Sequence, residues 1–207
     1  MSLVLACSAC GNEATFFPPG LEPLEPMNLA KRPAALTETF GWAEGEAREW
    51  EWVHARTFIR APIAQVWTAF QDADVVSDRR QVDEYSVLHD VEMGFDTSFV
   101  VHNIVHDFVT VEFDMTWRQS AVEGDQLEPE VVGVRFQKTF GTVFIDILRG
   151  SVVLRRAAED DQVTELEMIE HIAAAQGGPE TLKSYLTDLH TSVIARVHGA
   201  ALPVYPD

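Results

Sequence analysis

Glu170 stands in the run Leu166, Met168, Glu170, Ile172, so a strand through it sets one carboxyl among apolar side chains. A carboxyl in that setting keeps its proton to higher pH and can serve as an acid or base near neutrality. Asp146 is a second candidate, because it shares parity with Leu148, Val152 and Leu154. His89 is a third: it alternates with Val87 and Val91 and would hydrogen-bond a guest if that face turns inward. For the two carboxylates an alternative stays open, that strand-end residues reach solvent or pair with Arg79, Arg135 or Arg149. A β-bulge would also reverse the assumed parity.

The seven histidines invite a metal reading. His102 and His106 share a strand face but fall about 13 Å apart at the strand rise, too far to hold one ion. His54, His171, His190 and His198 show no ligand spacing. No nucleophile motif, P-loop or dinucleotide fingerprint is present. Gly177-Gly178 reads as a sharp lead into a helix rather than a phosphate cradle. The sequence thus implies neither a metal nor a cofactor.

A formal net charge of −18 argues against a nucleic-acid partner, since phosphate binding needs clustered Lys and Arg. With 207 residues, 46% of them hydrophobic, the chain can bury a sizeable core. Both cysteines, Cys7 and Cys10, lie at the extreme N-terminus, so no disulfide framework staples the body. Val4-Leu5-Ala6-Cys7 resembles the lipobox of bacterial lipoproteins, which makes Cys7 a lipidation candidate and a possible membrane tether. The apolar run before it is short and no basic segment precedes it. Two locations stay open, an exported membrane-anchored lipoprotein and a cytoplasmic protein.

The elements that must position these groups follow from periodicity. Residues 1–49, with Pro18, Pro19, Pro23, Pro26 and Pro33, read as a proline-rich tether, and regular structure is expected only from about Trp50. Glu51 to Ile59 alternates as a first strand. Ala61-Pro62 opens a helix with Ile63, Val66, Trp67 and Phe70 on one face, and a second helical piece spans about Asp72 to Gln81. Strands follow at about 85–93, 97–106, 109–122, 131–140, 143–157 and 163–174. Pro179 to Gly199 is a long helix whose Leu182, Tyr185, Leu186, Leu189, Val193 and Val197 recur at steps of three and four.

The segment FIRAPIAQVWTAFQD, Phe58 to Asp72, together with this order of elements, resembles the START-like or SRPBCC superfamily, whose members include birch-pollen allergen relatives, polyketide cyclases and coenzyme Q-binding proteins. The matching residues are Ile59, Ala61-Pro62 and Val66-Trp67. The resemblance covers residues 50–199 and leaves 200–207 as a tail. It implies an α+β helix-grip fold: a curved antiparallel sheet of about seven strands, two short helices after the first strand, and the long C-terminal helix packed across the sheet. It also implies a cavity between sheet and helix for a hydrophobic or amphipathic small molecule. The lining expected is Val87, His89, Val111, Phe113, Met115, Trp117, Leu166, Met168, Tyr185, Leu186 and Leu189. Three functions stay open: binding or transfer of such a molecule, a cyclase- or dehydratase-like enzyme using Glu170, Asp146 or His89 in the same cavity, and a co-chaperone-like interaction module.

Overall fold

The computed structural model describes residues 17–106, 109–141, 144–175 and 177–205. Cys7 and Cys10 lie outside them, as does the segment that resembles a lipobox. In chain order the elements are β1 (Gly41–Glu46), β2 (Glu51–Ile59), α1 (Ile63–Phe70), α2 (Ala73–Val76), β3 (Glu84–His89), β4 (Thr97–His106), β5 (Thr110–Gly124), β6 (Pro129–Gly141), β7 (Ile145–Ala157), β8 (Asp160–Ala174) and α3 (Pro179–Val197). The strands form one eight-stranded antiparallel sheet in the order β1-β2-β8-β7-β6-β5-β4-β3. This is the helix-grip arrangement, with one strand more than the sequence suggested.

Alternation decides which side of each strand meets the helices. Along β2, Val53, Ala55 and Ile59 are buried in the core while His54, Arg56 and Phe58 face the opposite side. On β8, Leu166, Met168, Glu170 and Ile172 share the helix-facing side, and Glu170 pairs across with Val53 on β2 and Gly150 on β7. The sheet grips α3 through Leu182, Leu186, Leu189 and Val193, each buried in the main core. Burial of each such side chain contributes about 1.5–3 kcal/mol, which fixes the helix where propensity alone would not. Gly177, at φ 126°, and Gly199, at φ 66°, take the left-handed region on either side of α3, where other residues would be strained.

Helix α1 closes one part of the groove between sheet and α3. Ile63, Val66, Trp67 and Phe70 join the core. A fully buried Gln119 on β5 ties α1 down: Trp67 Nε1 donates to Gln119 Oε1 at 2.9 Å, and Gln119 Nε2 donates to the Phe70 carbonyl at 2.7 Å. Helix α2 is shorter than the expected 72–81, because Ser77 leaves the helical region at ψ 136°.

The expectation of a loose N-terminal tether with no regular structure before Trp50 is corrected. β1 adds an edge strand, and residues 17–36 lie along the face of the sheet turned away from α3, before Phe40 packs against His190 of α3. Leu21 and Ala30 are buried there. The backbone N–H groups of Leu24, Asn28 and Ala30 donate to Ser151 Oγ, Glu167 Oε1 and His54 Nδ1. Arg32 pairs with Glu165 and Glu159 and lies over the Phe58 ring at 4.8 Å. The arm runs through turns and bends, and polar groups of the sheet satisfy part of its backbone.

Candidate functional site

Where α1 does not reach, sheet and α3 stand apart around a cavity of about 440 Å³. Its walls come from the stretch Val76 to Val82, from β4 to β8, and from Thr181, Leu182 and Tyr185 at the start of α3. Trp117 and Phe136 stack at 4.4 Å between ring centroids, and Tyr185 meets Phe136 edge-on at 6.3 Å. These rings wall the cavity on its inner side. At the outer side Val109 is 58% exposed and Phe144 45% exposed, although both line the cavity, so the rim is apolar and open to solvent. A volume of this size lies in the usual range for small-molecule sites.

The polar groups in the wall are few. Glu170 is 2% exposed, its Oε2 has no hydrogen-bond partner, and burial raises its carboxyl pKa well above the usual range. The neighbouring charge of Asp78 adds to that rise and Arg80 only partly offsets it. Arg79, Arg135 and Arg149, the cations that could have paired with Glu170, are engaged elsewhere. They bond Pro203 O and Ser192 Oγ, Glu22 O, and His171 Nδ1 respectively. Asp78 is held by Arg80, with Nε 2.8 Å from Oδ1 and Nη2 2.7 Å from Oδ2. Ser77 Oγ, 4% exposed, also lacks a partner. Tyr185 Oη donates to Val76 O at 2.9 Å, and burial pushes its hydroxyl pKa upward. Asn103 Nδ2 donates to the carbonyls of Val101 and Phe113.

Of the residues expected to line the site, the structure places Val111, Phe113, Met115, Trp117 and Tyr185 around the cavity, with Glu170 among them. Others fall elsewhere. Leu166, Met168, Leu186 and Leu189 are buried in the solid part of the core, where α1 and the middle of α3 fill the groove. Val87 packs partly buried on the core but off the cavity, and His89 is exposed, its ring 6.0 Å from Phe99. Asp146 is exposed as well. A register shift between Ile145 and Ile147 lets Ile145 and Leu148 both reach the wall and turns Asp146 outward. Neither Asp146 nor His89 can therefore act on a molecule held inside.

Several lining residues were not visible in the sequence. Ser77, Asp78, Gln81 and Val82 follow a short helix and carry no periodic signal. Val101, Asn103 and Val105 are the inward parity of β4, which alternation along 97–106 could have supplied.

No protein-family model matches the chain, and no curated protein matches it. Similar solved structures include the ZhuI aromatase/cyclase from Streptomyces sp. R1128, at 13% identity and TM-score 0.47 over 72% of this chain and 92% of that one. The lipid transfer and protein localization domain of human StarD13 is similar at 11% identity and TM-score 0.47, over 80% and 91%. Ara h 8.0201 is similar at 12% identity and TM-score 0.45, over 72% and 96%. The helix-grip fold of this chain rests on its own order of elements and strands, a single antiparallel sheet around a long C-terminal helix.

Proposed function

We propose that this protein binds or transfers a hydrophobic or amphipathic small molecule in the cavity between sheet and α3. One observation carries the reading: a space of about 440 Å³, walled by Val, Ile, Phe, Met and Trp side chains, that reaches solvent past Val109 and Phe144. Apolar surface buried by a guest contributes about 25 cal/mol per Å² before the costs of association, enough for useful affinity without any reaction. Native mass spectrometry of protein from its own source would show a retained guest, and Nile red would fluoresce on binding. Ala174→Phe, which places a ring in the cavity, is expected to abolish dye binding while leaving the far-UV spectrum unchanged. Unchanged dye binding in that variant would refute this site. A lipid on Cys7, acting as a membrane tether, belongs to the same proposal, and the same intact-mass measurement reads it.

A second reading, a cyclase- or dehydratase-like enzyme, draws on Glu170, a carboxyl in the cavity wall whose pKa burial raises well above the usual range, which suits a general acid on a bound oxygen. Turnover of a polyketide-like substrate, lost in Glu170→Gln with affinity intact, would favour it.

A further inference from the structure

The polar side chains of the cavity are matched to one kind of guest. Among the described residues its lining contains no Lys, Arg or His, but it contains two carboxyl groups, Asp78 and Glu170. The Asp78 carboxylate is occupied by Arg80 through two contacts below 3 Å. Gln81, Asn103, Thr181 and Tyr185 also line it, but among the described residues the buried lining atoms without a partner are Glu170 Oε2 and Ser77 Oγ. A carboxylic acid and a hydroxyl each donate and accept, so together they complement a group that does the same while carrying no charge. We infer, resting on the carrier reading above, that the guest is an apolar molecule whose polar end is an uncharged oxygen function, a hydroxyl or carbonyl, seated against Glu170 and Ser77.

The exclusions follow from cost. A carboxylate, sulfonate or phosphate seated there would be stripped of water with no free cation among the described lining residues to receive it, Arg80 being held by Asp78, and would face the Asp78 carboxylate. A ligand ammonium would need Glu170 to ionise in an apolar wall beside Asp78, whose own carboxylate is already paired with Arg80. A guest with no polar group would leave the two buried oxygens unsatisfied, a penalty that sites built for a hydroxyl use to reject its absence.

The test is a head-group series on one ring system: naphthalene, 2-naphthol, 2-naphthoate and 2-naphthylmethylammonium, titrated calorimetrically into the full chain at pH 7. 2-Naphthol is expected to bind at least about 10-fold more tightly than each of the other three. Glu170→Gln, which still donates and accepts, should keep 2-naphthol within about threefold, whereas Glu170→Leu should lose about 10-fold and Ser77→Ala about fivefold. Tighter binding of 2-naphthoate or of the ammonium than of 2-naphthol overturns the inference. If naphthalene binds as tightly as 2-naphthol, the head-group preference fails while the carrier reading survives. If no member of the series binds, and Nile red does not either, the carrier reading falls and takes the inference with it. The wild-type series decides the matter even if the leucine variant does not fold.

Discussion

A Cβ on Gly150 would fall 2.0 Å from Phe136 Cζ: the ring of β6 lies directly on the backbone of β7. Gly150 is also the β7 partner of Glu170. The missing side chain thus lets the Phe136 ring rest beside the buried carboxyl and stack on Trp117, forming the inner wall of the cavity. Phe136 is fully buried, so a methyl group cannot be absorbed by swinging the ring into solvent. Gly150→Ala is expected to destabilise the protein by about 1–3 kcal/mol, the usual cost of overpacking, and to weaken guest binding by displacing the ring. Urea denaturation and Nile red titration of the variant measure both, and an unchanged midpoint would show that the wall yields easily.

Glu170 should cost the empty protein stability at neutral and alkaline pH. Its folded-state pKa is raised well above 4.5, first by burial and then by Asp78. A group raised in this way contributes stability that is fully present below the unfolded value and is lost as pH rises toward the folded one. Glu170→Gln removes that dependence. The variant and the wild type should melt together near pH 4, and the variant should melt several degrees higher at pH 8. Equal melting at both values would mean that the carboxyl is solvated after all.

On the far face of the sheet, Glu167 should anchor the N-terminal arm. Its carboxylate accepts Asn28 N–H at 2.6 Å, lies 2.9 Å from His54 Nε2, and is 3.7 Å from Arg155 Nη1. Burial pushes its pKa up, but the contacts with His54, Asn28 and Arg56 outweigh it and hold the value below 4.5. Here the sign reverses: the stabilisation is present above the unfolded pKa and is lost as pH falls through the folded one. Glu167→Gln should therefore destabilise by about 3 kcal/mol at pH 7 and by much less at pH 3. Limited proteolysis should cut the arm of the variant faster. An arm equally protected in both proteins would assign its anchoring to other contacts.

These cases show where the sequence was legible. Glu170 could be placed because β8 keeps strict parity from Leu166 to Ile172. Asp146 could not, because the irregularity at Ile145–Ile147 moves one residue out of phase without leaving a compositional mark. Parity also gives no depth. Leu166 and Ile172 face the same way, yet only Ile172 lines the cavity, and the difference depends on how far α1 extends beneath the sheet. The arm was illegible for another reason. It has no periodicity, and it is held by isolated contacts, among them the buried Leu21 and Ala30, the Arg32 ion pairs and backbone N–H groups meeting Ser151, Glu167 and His54, which follow only from the completed sheet.

His171 supplies the last expectation. It is buried at the outer face, stacked on Trp50 at 5.5 Å, with Arg149 Nε donating to its Nδ1 and Glu25 Oε1 3.0 Å from its Nε2. Burial, followed by the charges of Arg149 and Arg135, lowers its pKa from 6.5 to about 4. The unfolded chain therefore takes up a proton that the folded one refuses between those values, and stability falls as pH drops through that window. At about 1.4 kcal/mol per pKa unit the loss is at most roughly 3 kcal/mol. Glu167 acts below 4.5, while from pH 6.5 to 5 the raised pKa of Glu170 works against His171 and the lowered one of His190 works with it, so the share of His171 is read as the difference between variant and wild type. Relative to the wild type, a His171→Gln variant should gain unfolding free energy steadily as pH falls from 6.5 to 5. Parallel slopes in the two proteins would move the responsible proton to another group.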